Sequence, residues 1–267
     1  MTQLRARVLL SGAAAAAALA ASGAATAGPP PPAAPIPRAP AAIHADWART
    51  TSALEAAIDR WRGRGAVPRA VALYALHQER LVRALAASPR LARAVPAARD
   101  DVAARIDLDR LAAPYPPRKR VSLGRPAPPL RLRSWYAEAQ RRFGVPWNVL
   151  AAVNFVESAF GKVRNDSVAG AQGPMQFMPA TWRAYGRGDV HDPHDAILGA
   201  AAYLRANGAP RDLRGALHHY NPSGLYVDAV LRYARRMARD RHAFLSYYAW
   251  SVFVRTTSGV RRVTGPR

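Results

Sequence analysis

Residues 151–182 read AAVNFVESAFGKVRNDSVAGAQGPMQFMPATW, and this stretch carries most of the information about fold and function in the chain. It opens with an apolar run typical of a buried helix, and it continues through a Gly-rich loop to a second helix start at Pro179. One acid, Glu157, stands among apolar neighbours, and it is one of only four glutamates in the sequence. Glu157 is therefore either a solvated residue at a helix end or a carboxyl group kept for its proton.

The position of Glu157 favours a protonated carboxyl. Pro146 suits the first turn of a helix that runs to about Ser158, and Gly161 is placed to end it. Glu157 then falls in the last turn, where the helix dipole presents its negative end. Apolar neighbours also remove water that would solvate the charge, so both effects raise the pKa of this carboxyl. A protonated carboxyl in a cleft is what glycosidic cleavage needs as a general acid.

Four short motifs follow one another from Glu157 onwards. The first is the pair Glu157-Ser158 at the predicted helix end. The other three are a Gly-Ala-x-Gly-x-Met-Gln loop, an Ala- and Leu-rich helix and a Tyr-Asn pair, found here as GAQGPMQ at 170–176, AAAYL at 200–204 and Tyr220-Asn221. In this order and spacing the motifs closely resemble the lytic transglycosylase (SLT domain) family of the lysozyme-like superfamily. The resemblance covers about residues 134–240.

The resemblance implies a mainly α fold with a lysozyme-like helical catalytic domain and a secreted enzyme that acts on peptidoglycan. In that family one glutamate cleaves the MurNAc-β-1,4-GlcNAc bond, so Glu157 is the expected catalytic residue. It would donate a proton to the glycosidic oxygen and then act as base on the C6 hydroxyl, which closes a 1,6-anhydro product. The N-acetyl group of the substrate would stabilise the intermediate, as in substrate-assisted glycosidases. No cofactor is expected.

The same resemblance supplies the expected substrate-binding residues. Ser167 and Gln176 would hydrogen-bond sugars or order their loop, and the methionines would line the groove or pack in the core. Tyr220 would sit against Glu157, fix its rotamer and favour its protonation. The full predicted set is Ser158, Ser167, Met175, Gln176, Met178, Tyr220 and Asn221.

Two other functions remain open at this point. Asp166 is the only acid between Glu157 and Asp189, and a lysozyme-like muramidase would use water and perhaps this second carboxylate. Turn chemistry also explains Asn165-Asp166 without catalysis. The other alternative is a non-catalytic cell-wall-binding protein on the same fold.

Two departures from the family pattern, Pro174 and Pro222-Ser223, together with TWRAYG and DPHDAI, resemble the membrane-bound lytic transglycosylase B branch. That branch can carry a longer Asp- and Gly-rich loop suited to calcium. Here GRGDVHDPHD retains Asp189, Asp192 and Asp195, but it lacks a full 12-residue calcium loop that ends in a glutamate. We therefore expect no metal site.

The composition indicates export and an acidic partner. Residues 1–27 have a basic start, a short apolar run and the small-residue pattern Ala25-Thr26-Ala27, which together predict a signal peptide cleaved near Ala27. The chain carries a formal charge of +22, and the two arginines of the signal leave +20 after cleavage. Such a protein suits peptidoglycan glycan strands and anionic cell-wall polymers. We expect no nucleic-acid partner, because the arginines are scattered without a binding module, and we expect a monomer.

Proline-rich stretches divide the rest of the chain. Segment 28–42 is a Pro/Ala-rich linker expected to be extended and disordered, and 114–133 is a second, basic linker. Between them lies a helical N-terminal region, 43–113, in which nothing suggests chemistry. Residues 134–240 form the predicted catalytic domain. The C-terminal extension, 241–267, is predicted to hold a β-hairpin that pairs 247–255 with 260–264.

Overall fold

The computed structural model describes residues 28–117 and 120–263. Within these ranges the chain forms eleven α-helices and one two-stranded sheet, which confirms the mainly helical prediction. The predicted signal peptide, two residues of the basic run in the second linker and the last residues of the tail lie outside the described part of the chain. No helix in the described ranges has both the length and the apolar character needed to cross a membrane.

The N-terminal region contains four helices. They are α1 Pro40–Trp61, α2 Arg69–Ala86, α3 Pro89–Ala94 and α4 Arg99–Ala112, with a 3-10 turn at Pro96–Ala98. An apolar stripe of α1 is buried, which explains why this helix forms: Trp47, Leu54, Ile58 and Trp61 all face the core. The short helix α3 was not predicted, although Ser88 caps it by accepting a hydrogen bond from the backbone N–H of Leu91.

Seven helices follow the second proline-rich stretch. They are α5 Pro129–Phe143, α6 Trp147–Ser158, α7 Pro179–Tyr185, α8 Pro193–Ala206, α9 Leu213–Tyr220, α10 Gly224–Arg239 and α11 Ala243–Ala249. The start of α8 is capped, because Asp192 accepts from the N–H groups of His194 and Asp195, with Pro193 in the first turn. Asp212 caps α9 in the same manner.

Both predicted linkers are shorter than expected. α1 begins at Pro40 and α5 at Pro129, since a proline at the first helical position has no N–H to leave unpaired. The first linker is irregular, but it is held in place. The guanidinium of Arg80 donates to the carbonyl oxygens of Pro32 and Ala34 at 3.1 and 2.6 Å. The expectation of disorder is therefore wrong for this segment.

The C-terminal hairpin is present, but it is shorter than predicted. β1 spans Val252–Thr256 and β2 spans Gly259–Val263, and the strands pair antiparallel with Val252 opposite Val263. The aromatic residues at 247–249, predicted to lie in the first strand, belong to α11 instead. Tyr247 is buried there among aromatic rings, so tertiary packing outweighs its strand propensity.

One hydrophobic core includes residues from the N-terminal helices and from α5 to α11. α4 packs along α10, and a buried polar cluster joins them. Asp101 of α4 accepts a hydrogen bond from the Tyr247 hydroxyl and pairs with Arg236 of α10 at 3.3 Å. Breaking such a buried pair leaves an uncompensated charge, so the cluster fixes α4 in register on α10. The N-terminal helices therefore form part of the body that surrounds α6.

Candidate active site

Glu157 lies one residue before the end of α6, at a sharp turn of the backbone. Ala159, Phe160 and Gly161 follow one another with φ of 51°, 64° and 82°. Such left-handed values cost a non-glycine residue about 1–2 kcal/mol. The helix ends at Ser158, as predicted, and the chain leaves it at Ala159, two residues before Gly161. The strained turn is held by a hydrogen bond from the Phe160 N–H to the carbonyl of Asn154, at 3.1 Å.

Ser158 connects the first motif to the second. Its side chain is buried, with 1 % exposure. The hydroxyl donates to the carbonyl oxygen of Pro174 at 2.5 Å and accepts from the N–H of Gly161 at 2.8 Å. Asn154 donates to the same Pro174 carbonyl at 2.8 Å. Ser158 was predicted to bind substrate, but it faces inward, and its place in the fold is that of a positioning residue.

The carboxyl of Glu157 has a single hydrogen-bond partner among the described residues, Tyr226. The Tyr226 hydroxyl donates to Oε1 at 2.7 Å. Burial raises the pKa of Glu157 to about 7, and the bond from Tyr226 opposes that rise. The predicted direction of the shift is therefore right. The largest cause is the removal of water around the group.

Tyr226, and not Tyr220, is the tyrosine that hydrogen-bonds to Glu157. The hydroxyl of Tyr220 donates to the carbonyl oxygen of Met175 at 2.7 Å. The rings of Tyr220 and Tyr226 are parallel, with centroids 6.5 Å apart. The tyrosine bond also stabilises the ionised carboxylate, whereas Tyr220 was expected to favour protonation. The sequence signal for Tyr226 was its place in the helix after the Tyr-Asn motif.

The loop of the second motif is closed by backbone pairing. Gln172 and Phe177 exchange two N–H···O bonds of 2.8 Å. Gln176 adopts φ of 51°, and its amide donates to the carbonyl oxygen of Gly173 at 2.9 Å. Ser167 accepts from the N–H of the loop residue Ala171 at 2.9 Å. For Ser167 and Gln176 the geometry matches the expectation that they order the loop.

Gly173 is required by the close approach of the next segment. A Cβ at this position would stand 2.0 Å from the carbonyl oxygen of Val190, and φ is 70°. Only glycine satisfies both conditions. The loop of the second motif is therefore packed directly against the segment that leads into α8.

The remaining residues that were predicted to line the groove differ in their solvent exposure. Met175 is fully buried and belongs to the core, whereas Met178 is 44 % exposed at the start of α7. Asn221 lies half-buried just after α9. Val168, which was not predicted, is largely exposed on the same loop as Ser167. Met178 and Val168 are the apolar side chains that this loop offers to a ligand.

The acids considered for calcium are engaged with the backbone. Asp192 accepts from two N–H groups of its own helix, as described above. Asp189 accepts from the N–H of His191 at 2.8 Å, and Asp195 accepts from the N–H of Asp189 at 3.0 Å. These bonds are typical of turns and caps. They place all three carboxylates in turn or cap hydrogen bonds, and the expectation of no metal site stays a prediction.

Comparison with known proteins agrees with the motifs. Residues 134–242 match the family described as Transglycosylase SLT domain. This segment is similar to an SLT domain, and we refer to it by that name. Its helices are those expected of the lysozyme-like fold class, and both Glu157 and Tyr226 lie within it.

The SLT domain also accounts for the similarity to curated proteins. A "membrane-bound lytic murein transglycosylase F 1" from Alkalilimnicola ehrlichii is 30 % identical over 149 residues, which cover 49 % of this chain and 30 % of that protein. A "transglycosylase" of Enterobacteria phage PRD1 is 39 % identical over 69 residues, 26 % of each chain. The chain thus spans less than a third of the length of these relatives. No solved structure matches.

The SLT domain forms only one wall of the cavity beside Glu157. The cavity has a volume of about 180 Å³. The end of α6 lines it with Glu157 and neighbouring residues, and α2, α4 and the segment around the start of β1 line it as well. The principal residues from these other segments are Glu79, Val82, Arg83, Arg105, Leu108, Ser251, Val252 and Phe253. The sequence of the N-terminal helices suggested no chemistry, yet these helices place side chains in the same cavity as Glu157.

A second buried carboxyl, Glu79, lies in this cavity. Burial raises its pKa to about 7, and Arg83 opposes the rise. Glu79 accepts from Arg83 at 3.3 Å and from the backbone N–H of Ser251 at 2.9 Å. Asp166, the acid considered as a second catalytic group, is exposed in its loop and does not line the cavity.

The C-terminal tail is tied to the cavity by specific contacts. Trp250 donates through Nε1 to the side chain of Gln78 at 3.2 Å. The ammonium of Lys162, just after the first motif, donates to the carbonyl oxygens of Tyr248 and Trp250 at 2.5 and 2.6 Å. Burial lowers the pKa of Lys162 to about 8. The tail is thereby held between the SLT domain and α2.

Proposed function

We propose that this protein is an exported peptidoglycan lytic transglycosylase that cleaves the MurNAc-β-1,4-GlcNAc bond and forms a 1,6-anhydro-MurNAc end. The observation that carries the proposal is the Glu157 carboxyl, with a pKa raised to about 7 and a hydrogen bond from Tyr226, within an SLT domain. The printed names of both relatives are those of transglycosylases.

In the first step Glu157 acts as a general acid. Its proton passes to the glycosidic oxygen while the bond from that oxygen to C1 of the muramic acid breaks, and the N-acetyl group of that sugar stabilises the positive charge at C1. A pKa near the working pH suits this role, because a useful fraction of the carboxyl is protonated and still acidic enough to donate. The Tyr226 hydroxyl stabilises the carboxylate that remains.

In the second step the same carboxylate acts as a base. It removes the proton of the C6 hydroxyl, and the C6 oxygen bonds to C1 to close the anhydro ring. Glu157 recovers its proton, so the cycle ends as it began. No second carboxylate is needed, since the attacking nucleophile belongs to the substrate. The exposed position of Asp166 is consistent with a single catalytic acid.

Mass spectrometry of digested peptidoglycan tests the reaction. The expected products carry 1,6-anhydro-muramyl ends, which are lighter by one water than the reducing ends that a muramidase leaves. Reducing ends from the wild-type protein would assign it to the hydrolases. Sacculi that remain uncut while the protein binds them would support the wall-binding alternative.

Export and wall association belong to the same proposal. The sequence of residues 1–27 has the pattern of a cleavable signal, and the +22 charge favours anionic polymers of the cell wall. N-terminal sequencing of the secreted protein tests the first point. A mature chain that begins near Gly28 supports cleavage after Ala27, and an intact N-terminus on the cytoplasmic side contradicts export.

A further inference from the structure

The wall of the Glu157 cavity that lies outside the SLT domain is cationic. Arg83 from α2 and Arg105 from α4 both line it, and each side chain is 21 % exposed. Burial lowers the pKa of Arg83, and the charge of Arg105 lowers it further. The two guanidinium groups are therefore close enough to repel each other, and an anion between them would relieve that repulsion.

Both arginines retain unused hydrogen-bond donors. The Nε atoms of Arg83 and Arg105 are buried and have no partner among the described residues. Each guanidinium makes one ion pair through Nη2, Arg83 to Glu79 at 3.3 Å and Arg105 to Asp109 at 2.7 Å. A planar carboxylate accepts two parallel bonds from a guanidinium, which is the arrangement that free donors of this kind favour.

The existing counter-charges compensate the arginines only in part. Burial holds the pKa of Glu79 at about 7, so a substantial fraction of this carboxyl is neutral at neutral pH. The partner of Arg105, Asp109, is 58 % exposed, and its charge is screened by solvent and salt. The part of the cavity wall that Arg83 and Arg105 form is consequently positive.

The tail holds one guanidinium in place. The ring of Phe253, in β1, lies 4.1 Å from the guanidinium carbon of Arg83, a cation–π contact. The rest of that wall is apolar, with Val82, Leu108 and Val252. A preformed cationic group beside an apolar surface suits a ligand that presents a carboxylate on a short carbon chain.

We propose that Arg83 and Arg105 form a binding site for a carboxylate of the peptide stem that the glycan strand carries. The inference rests on the proposed function, since the ligand is a substituent of the polymer whose bond Glu157 would break. The glycan backbone of MurNAc and GlcNAc has no free carboxylate once the lactyl group bears a peptide, whereas the stem ends in carboxylates. The volume of about 180 Å³ accommodates one substituent and is small for an entire drug-sized ligand.

The test compares two substrates that differ only in the charge of the stem. Glycan strands with intact peptides and the same strands after carbodiimide-mediated amidation of their stem carboxylates are digested by the full-length mature protein, and kcat and KM are measured for both. Wild-type protein should prefer the strands with free stem carboxylates by about tenfold in kcat/KM, mainly through KM, as expected for a charge-assisted hydrogen bond. Arg105→Gln should bring this ratio close to one.

Arg110→Gln is the matched control, because Arg110 is an exposed arginine of the same helix that does not line the cavity. It removes the same charge and should keep the wild-type ratio. Thermal melting checks that each variant is folded. If Arg105→Gln does not fold, Arg105→Lys replaces it; this variant keeps the charge without the planar fork, and its ratio should fall about threefold.

Two results would overturn the inference while the proposed function stands. The first is that the wild-type protein has equal kcat/KM on both substrates. The second is that the folded Arg105→Gln variant keeps the wild-type ratio of kcat/KM between the two substrates. Where the glutamine variant unfolds, the same result in Arg105→Lys counts instead. Failure of the wild-type protein to cleave either substrate would remove the proposed function and the inference with it.

Discussion

The hydroxyl of Tyr226 donates a 2.7 Å hydrogen bond to Oε1 of Glu157, and it does so from a different helix, α10. Burial of Glu157 and this bond act on its pKa in opposite directions. Burial favours the protonated form that the first step requires. The tyrosine favours the carboxylate that the second step requires, so the pair sets the balance between the two roles of one group.

Tyr226→Phe removes the contribution that stabilises the carboxylate. The pKa of Glu157 should rise, and the alkaline limb of the rate profile should move to higher pH. The maximal kcat should fall about tenfold, because the ionised intermediate state loses a charge-assisted bond. A pH profile of kcat/KM checks both effects. Tyr220→Phe, which removes a hydroxyl bonded to Met175, should leave the position of that limb unchanged; an equal shift in both variants would argue against a direct role for Tyr226.

Wild-type activity should decline as pH rises through about 7. The general acid must be protonated, and the pKa of Glu157 is raised to about 7 by burial. Glu157→Gln should lower turnover by about 10²- to 10⁴-fold at every pH. Release of soluble fragments from purified sacculi measures both. A glutamine variant that cleaves at the wild-type rate would remove Glu157 from the mechanism.

Glu157→Gln should also change stability in a pH-dependent manner. The folded pKa lies above the unfolded value, so the folded state binds the proton more tightly, and wild-type stability is lost as pH rises from about 4.5 to about 7. The glutamine side chain does not titrate, so the variant keeps its stability over this pH range. The difference in free energy of unfolding between the variant and the wild-type protein should therefore shift in favour of the variant as pH rises, by about 3 kcal/mol above pH 7. Denaturant unfolding at pH 5 and pH 8.5 measures it, and a constant difference at both pH values would contradict a buried, protonated carboxyl.

Asp166→Asn separates one-carboxylate from two-carboxylate chemistry. The side chain is exposed and lies outside the Glu157 cavity, so the variant should keep its activity within about twofold. The measurement is the same release of fragments, with the product ends read by mass spectrometry. A loss of a hundredfold or more would support the muramidase alternative.

Gly173→Ala tests the loop of the second motif. The added Cβ would meet the Val190 carbonyl oxygen at 2.0 Å, so we expect a loss of more than about 2 kcal/mol and displacement of the loop. Gly170→Ala is the control, since Gly170 also has positive φ but has no atom within 4 Å of its Cβ position. It should cost only about 1 kcal/mol. Equal melting temperatures for the two variants would contradict the close approach.

Local signals in the sequence were sufficient for the mainly helical fold and for the raised pKa of Glu157, although they missed α3 and placed part of α11 in a strand. Asp192-Pro193 marks the start of α8, because capping and proline geometry act within one turn. The raised pKa of Glu157 followed from its apolar neighbours. Tyr226 was assigned no contact with Glu157, since the two are 69 residues apart and only the packing of α10 on α6 brings them together.

The wall formed by α2, α4 and β1 was missed for the same reason. Glu79 and Ser251 are 172 residues apart, and each is unremarkable in its own segment. Tyr247 was misplaced because the aromatic packing of α11 outweighs strand propensity. Features set by neighbouring residues could therefore be predicted from the sequence. Contacts between segments far apart in the chain could not.

The hydrogen bond from the Ser251 N–H to Glu79 joins the two segments that flank the SLT domain, which matters for the design of fragments and chimeras of this protein. Residues 134–242 match the SLT domain family, yet segments on either side of this match line the cavity beside Glu157. A fragment cut at the ends of the match would keep Glu157 and Tyr226 but would lose Arg83, Arg105 and Phe253 from that cavity. A chimera that exchanges residues 134–242 alone would therefore combine Glu157 with the lining residues of another protein.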